Sequence, residues 1–244
     1  MTESTAAAAP KPTQPSLFDD FLEMFYRPAD VFRRRQNSSV WPPLLIVAIS
    51  IAVIFIFTYN ALQPVFDAEF TRATTAAMRK NPQITQEMMD KMRGAQENIA
   101  RYGLGVIMLV TMWVMGTVAW LVGKLVGAKQ SYHAALVVAA WSYVPRIVGV
   151  LINGIEGLVM DPSKMTGQLA LSLSPARFLD PDTANPLVLQ LLGRLDLITI
   201  WVTVLLSIGL YATGKVSKGK AVTFGILIFI IGSLPALRQG FVAM

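Results

Sequence analysis

Five long apolar runs constrain the fold of this chain more than any other feature of its sequence. They extend approximately over residues 43–62, 102–125, 134–155, 187–211 and 221–237. Each run approaches the ~20 residues that an α-helix needs to cross a hydrocarbon core ~30 Å thick. Only 15% of the residues are charged, against about a quarter in a soluble domain. We therefore expect an all-α integral membrane protein built on a bundle of five transmembrane helices.

The runs divide the chain into three parts. Residues 1–15 are rich in alanine, proline and threonine, which predicts a disordered tail. Residues 16–40 are predicted to form an amphipathic interfacial segment, and residues 41–244 the five-span transmembrane domain.

The basic residues indicate the orientation of the bundle. Lysine and arginine concentrate before the first run, between the second and third runs, and between the fourth and fifth runs. Since short basic flanks stay on the cytoplasmic side, we expect a cytoplasmic N-terminus, five crossings and a C-terminus outside. The fifth run is the shortest and contains Pro235, and losing this crossing would place the C-terminus inside. The net charge of +6 lies largely in these flanks, so it does not indicate nucleic-acid binding.

The segment 16–40 has an apolar helical face followed by a basic end. Ser16 and Asp19 have the spacing of a capping box, and Pro28 ends the helix that follows. The candidate contacts with the membrane interface are Phe18, Phe21, Phe25, Arg33, Arg34 and Arg35. Such a helix suits the cytoplasmic membrane surface. The alternative is that the same apolar face packs on the protein's own bundle.

The two long loops between runs also carry helical signals. Asn81-Pro82 is a plausible helix start, and Ile84, Met88, Met92 and Ile99 then lie near one face. We expect a short amphipathic helix lying over the bundle or on the outer leaflet. The second loop is rich in proline, and a short helix is predicted near residues 168–173.

Charged residues inside the third and fourth runs are the candidate functional residues. Arg146 lies ~18 Å into its run and Asp196 ~14 Å into the next, so the two charges are expected at similar depth. Arg194 and Asp196 are two residues apart and therefore lie on different faces of the helix. Arg194 is expected to reach towards the headgroups. We therefore predict an Arg146–Asp196 ion pair, with Pro145 bending the span and freeing space beside it. The pair either locks helix register or lines a polar pathway.

The sequence contains few residues suited to catalysis or metal binding. It has no cysteine and one histidine, His133, which rules out thiolate and paired-histidine metal sites. It lacks H-E-x-x-H, G-x-S-x-G and paired intramembrane aspartates. We expect no catalytic residue, no metal and no cofactor.

Four stretches resemble a known family. They are YRPADVF (26–32) with WPPLL (41–45), AALVVAAWSYVPRIVGVLI (134–152), RLDLITIWVTVLLSIGL (194–210) and GKVSKGKA (214–221). In order and spacing they resemble the Yip-type (Ypt/Rab-interacting protein) membrane family, bacterial branch. The resemblance implies five spans, a cytoplasmic N-terminus and location in a bacterial inner (plasma) membrane. Eukaryotic relatives act in vesicle trafficking and bind prenylated Rab GTPases, but their acidic, aromatic cytosolic motif has no clear counterpart here.

Three classes of function follow from these observations. The favoured one is a non-enzymatic membrane protein that contacts membrane lipids and either binds a membrane-protein partner, forms a homo-oligomer or organises the bilayer. The alternative is a small transporter or channel that uses Arg146 and Asp196. The third, an intramembrane enzyme, would have to use His133, which lies at a span edge beside Tyr132.

Overall fold

The computed structural model describes residues 15–81, 83 and 85–243, and within these ranges its regular elements are all helical. The α-helices are α1 (Leu17–Glu23), α2 (Pro28–Arg35), α3 (Trp41–Lys80), α4 (Gln86–Leu125), α5 (Tyr132–Ser142), α6 (Val144–Val159), α7 (Pro186–Arg194), α8 (Leu197–Thr213) and α9 (Lys218–Ala243). Three 3₁₀ helices, Pro162–Lys164, Gln168–Leu171 and Pro175–Phe178, lie between α6 and α7. The predicted disordered tail lies almost entirely outside the described residues.

The five predicted spans correspond to helical units of this structure, which confirms the fold class. The helices α3, α4 and α9 and the continuous pair α5–α6 are each long and apolar enough to cross a membrane. The fifth unit is the pair α7–α8, which meets the same test only when it is taken together and which bends by 50° at its break. The last helix continues through Pro235 to Ala243, well past the predicted end at residue 237.

The helices α3 and α4 are much longer than a membrane requires. Each has 40 residues, or ~60 Å at 1.5 Å per residue, about twice the hydrocarbon thickness. Residues 63–80 and 86–101 therefore form an antiparallel pair that we call the hairpin. The prediction of a separate short helix lying on the bundle is wrong, because the segment is the continuous first part of α4. Pro82 and Ile84 lie outside the described residues.

Charge pairs join the two arms of the hairpin. Arg93 of α4 forms ion pairs with Asp67 of α3 and, at 2.8 Å, with Glu97 one turn along its own helix. The hydrogen bond to Glu97 raises the pKa of the Arg93 guanidinium. Arg93 also lies 5.4 Å from the centre of the Phe70 ring. These contacts hold the two helices together beyond the apolar runs.

The centre of the bundle is α5, which is buried almost throughout its length between α4 and α8. Close approach on both sides depends on glycine. A Cβ on Gly116 would lie 2.7 Å from Leu136 Cδ2, and a Cβ on Gly209 would lie 2.2 Å from Val138 Cγ1. Small residues at such crossings let membrane helices pack by direct van der Waals contact.

Candidate functional site

The break between α7 and α8 places a carboxylate in the middle of the fourth span. Asp196 is the N-cap of α8, and its Oδ1 accepts a hydrogen bond of 2.9 Å from the backbone N–H of Thr199. Its Oδ2 accepts one of 3.1 Å from the N–H of Leu173, in the loop before α7. The Leu173 carbonyl in turn accepts from the N–H of Leu197 at 3.2 Å. Asp196 therefore satisfies backbone donors that the break would otherwise leave unpaired.

Arg146 lies opposite this break, near the middle of the third span. The helix is interrupted at Tyr143, and Pro145, which has no N–H to donate, lies in the first turn of α6. The Nη2 of Arg146 donates to Thr199 Oγ1 at 3.2 Å, and the guanidinium lies 6.0 Å from the centre of the Tyr143 ring.

The predicted direct ion pair is not formed in this structure. No guanidinium nitrogen of Arg146 lies within 4.0 Å of a carboxylate oxygen of Asp196. Thr199 links them instead, since its hydroxyl receives the Arg146 bond and its N–H binds Asp196. The reason is that Asp196 caps a helix start, which directs its oxygens to backbone donors. A continuous fourth helix, as the sequence predicted, would have left the carboxylate free to pair.

Arg194 also differs from its prediction. Its Nε donates to Ser233 Oγ on α9 at 3.2 Å, and its guanidinium lies 5.6 Å from the centre of the Phe229 ring. The side chain thus bridges α7 and α9 rather than reaching for the headgroups.

A cavity of about 650 Å³ lies beside the two charged residues. Its polar lining consists of Arg146, Asn153, Asp196, Thr199, Gln96, Gln168 and Ser172, and most of the remaining wall is apolar. Its apolar lining includes Phe55, Leu62, Phe66, Leu104, Ile107 and Val150.

The loop between α6 and α7 contributes Gln168, Leu169 and Leu171–Leu173 to this cavity. The loop is tied to the bundle at three points. The N–H of Gln168 donates to Glu69 Oε1 at 2.8 Å, Arg177 pairs with Glu156 at 2.8 Å, and Arg72 pairs with Asp182 at 2.9 Å. The loop residues are therefore held in place at the cavity.

The N-terminal helices pack on the bundle instead of lying apart from it. Helix α2 contacts α8, and the side chains of Val31 and Phe32 are fully buried. The ring of Phe25 packs edge-on against Trp201 of α8, with centroids 5.4 Å apart, and Phe21 packs against the same core. Of the three phenylalanines proposed to contact the interface, Phe18 is the one that remains exposed.

The arginine run of this segment is largely engaged in ion pairs. Arg34 and Arg35 both bind Asp20, whose side chain is fully buried, and Arg34 also binds Glu23 at 2.7 Å. Arg33 is half exposed and pairs with the exposed Asp30. Arg34 and Arg35 thus pair within the protein while part of each side chain stays accessible, and their contact with the membrane interface stays a prediction. Asp20 was missed because its pairing with Arg34 and Arg35 joins two different helices, and no local sequence pattern indicates such a contact.

A second surface feature lies on the hairpin. Five apolar residues of α4 alternate at spacings of four and three, which keeps them on one helical face. They are Met88, Met92, Ala95, Ile99 and Tyr102, and we call them the α4 seam. All five are exposed, Met92 and Ile99 by 60% each. The face of α4 that packs on α3 is a different one, marked by the buried Met89 and by Arg93.

The one histidine makes a contact with the backbone of another segment. His133 Nε2 lies 2.8 Å from the Ser38 carbonyl oxygen, which joins the start of α5 to the segment after α2. No group of three histidine, aspartate or glutamate side chains in residues 15–81, 83 and 85–243 could hold a metal ion.

Comparison with known proteins places this architecture in context. Residues 22–237 match the family model of the Yip1 domain. The chain is similar to membrane protein YknW of Bacillus subtilis (strain 168), with 26% identity over 225 residues that cover 88% of this chain and 87% of the relative. No solved structure matches the chain significantly.

Proposed function

The chain belongs to the Yip1 domain family of membrane proteins, and from that premise we propose that it is a non-enzymatic protein that binds a second polypeptide through the α4 seam. The second polypeptide is a membrane-protein partner or another copy of this chain. We place the protein in a bacterial inner membrane, with its N-terminus in the cytoplasm and the hairpin outside.

The observation that carries the proposal is the exposed α4 seam. Near its outer end the neighbouring residues Glu87, Asp90 and Lys91 are charged, which indicates water rather than lipid at that height. Large apolar side chains exposed to water in a contiguous row mark interaction surfaces. The alternating four-and-three spacing is the one at which two helices interlock their side chains. A helix of the second polypeptide therefore fits this face.

The non-enzymatic character rests on the residues available. The sequence has no cysteine and one histidine, and the charged groups of the bundle hold helix ends and helix pairs together. Asp196 caps α8, and Arg194 bridges α7 and α9.

A photo-reactive amino acid at position 92, in the full chain in its own membranes, tests the proposal. Met92 lies on the seam, whereas the exposed Asp90 has no seam residue three or four positions away and provides a matched control position on another face of the same helix. We expect a protein adduct from position 92 and none from position 90. The adduct's mass distinguishes a different protein from a second copy. Equal labelling at both positions, or no protein adduct at position 92, would refute the seam as a contact surface.

A transporter or channel is the second candidate, and the broken fourth span favours it. Interrupted helices beside a polar site are a feature of transport sites, and here the break at Asp196 borders a cavity of about 650 Å³. Reconstituted liposomes test this function. Solute flux that is lost with Asp196→Asn in a folded protein would support it, and the absence of flux for amino acids, small ions and lipids would count against it.

A further inference from the structure

The charges around the broken span do not balance. Arg146 and Arg194 contribute two positive charges and Asp196 one negative charge. Both Asp196 oxygens accept backbone N–H bonds at the start of α8 and from the loop. Arg194 is directed to Ser233 and the Phe229 ring. The guanidinium of Arg146 makes one hydrogen bond within the described residues, to Thr199, and therefore keeps unused donors at the cavity.

An unmatched guanidinium in the middle of a span is unfavourable unless it is paired or hydrated. Arginine presents five N–H donors in a planar fork that matches the oxygens of a phosphate or carboxylate. Asn153, two helical turns along α6, lines the same cavity, but its amide nitrogen donates to the carbonyls of Leu171 at 3.0 Å and Gly149 at 3.2 Å, so the contact with an anion rests on Arg146. The chemistry of this end of the cavity is that of an anion site.

The remaining wall determines what else the ligand carries. Aliphatic and aromatic side chains of α3 and α4 line it, among them Phe55, Leu62 and Ile107. The volume of about 650 Å³ falls within the ~300–1,000 Å³ range of small-molecule sites. A free inorganic anion would leave most of this apolar wall uncovered, whereas an attached hydrocarbon segment would cover it.

We propose that this cavity binds an amphipathic anion, with a phosphate or carboxylate group on Arg146 and an apolar segment against α3 and α4. The anion is either the headgroup of a phospholipid that enters from the bilayer or a water-soluble amphiphile. This site goes beyond the proposed partner binding and does not depend on it, because the α4 seam shares one residue, Ile99, with the cavity lining and does not include Arg146.

Native mass spectrometry of the full chain in mild detergent tests the site. The probes are palmitoyl-oleoyl phosphatidylglycerol, phosphatidylcholine with the same chains, and octyl phosphate as a water-soluble amphiphile. We expect the wild type to bind phosphatidylglycerol or octyl phosphate at least tenfold more tightly than phosphatidylcholine, and whichever binds identifies the source. We expect Arg146→Gln to abolish this preference and Arg146→Lys to retain part of it.

Two further variants keep the test decisive if Arg146→Gln fails to fold. Ala100→Trp fills the cavity from α4 while leaving Arg146 in place, and we expect it to lose the bound anion. Lys218→Gln removes a positive charge from a separate groove between α8 and α9, and we expect it to bind as the wild type does. Two results would overturn the assignment. One is equal binding of phosphatidylglycerol and phosphatidylcholine together with no binding of octyl phosphate. The other is anion binding that is lost in Lys218→Gln and kept in Ala100→Trp.

Discussion

Asp20 and Arg35, fifteen residues apart in the chain, form an ion pair in which Nε lies 2.5 Å from Oδ2 of a fully buried carboxylate. Arg34 binds the other oxygen of the same carboxylate. Because α2 is packed on α8, this contact attaches the N-terminal helix to the transmembrane bundle. The segment before the first span is therefore part of the folded domain.

The first prediction concerns this carboxylate. Asp20→Asn leaves two arginines without their counter-charge, and removing one partner of a buried pair costs about 3–5 kcal/mol. Because both arginines keep some contact with water, the uncompensated charges are partly hydrated. We therefore expect the free energy of unfolding to fall by less than that, about 1–3 kcal/mol. Thermal unfolding in detergent, followed by tryptophan fluorescence, measures it. Asp30→Asn is the control, because exposed pairs contribute about 0–1 kcal/mol, and an equal effect of the two variants would contradict the account.

The second prediction concerns helix packing at Gly209. The Cβ of Gly209→Ala would lie 2.2 Å from Val138 Cγ1, and the branched valine has little freedom to move away. We expect the overpacking to lower the free energy of unfolding by about 1–3 kcal/mol. Gly94→Ala, where no atom lies within 4 Å of the new Cβ, should be neutral or stabilising by up to about 1 kcal/mol. Similar unfolding temperatures for both variants would show that α5 and α8 are less tightly packed.

The third prediction separates a helix cap from an ion pair at Asp196. Asp196→Ala removes a cap worth about 0.5–2 kcal/mol and leaves the Leu173 N–H without its acceptor. Asp196→Asn retains an acceptor oxygen and should be the milder change. Reversing the charges, Arg146→Asp with Asp196→Arg, should not rescue stability, because arginine cannot accept the backbone bonds. An unfolding temperature of the double variant above those of both single variants would instead establish direct pairing.

The fourth prediction concerns topology, and the absence of native cysteines makes it simple to test. Asp90→Cys, an exposed position of the hairpin outside the α4 seam, should react with a membrane-impermeant maleimide added outside intact spheroplasts. Lys129→Cys, between α4 and α5, should react only after the membrane is permeabilised, and Val110→Cys, within the α4 span, should react slowly in both conditions. Labelling of position 129 in intact spheroplasts and of position 90 only after permeabilisation would reverse the orientation.

The sequence predicted the spans well because hydrophobic run length is set by membrane thickness, and each of the five runs corresponds to a helical unit. It located Arg146 and Asp196 in neighbouring spans that share one cavity. It missed that Asp196 caps a helix, because the apolar pattern continues across the break and Gly193 beside it is one of many glycines in the spans. It also ended α3 too early and began α4 too late, since amphipathic hairpin arms held together by Arg93 and Asp67 give no long apolar run of their own. The burial of Asp20 depends on tertiary pairing that a local pattern does not contain.

The central claim is that the α4 seam binds a second polypeptide, and native mass spectrometry of the full chain purified from its own membranes tests it most directly. We expect the wild type to carry a stoichiometric second chain, the Met88→Glu/Met92→Glu double variant to run as a monomer, and the control Gln86→Glu, at an exposed position on another face of α4, to keep the complex. Glutamates on the seam would have to be buried without partners, and such burial weakens association. A monomeric wild type, or a complex that survives in the double variant, would contradict the claim.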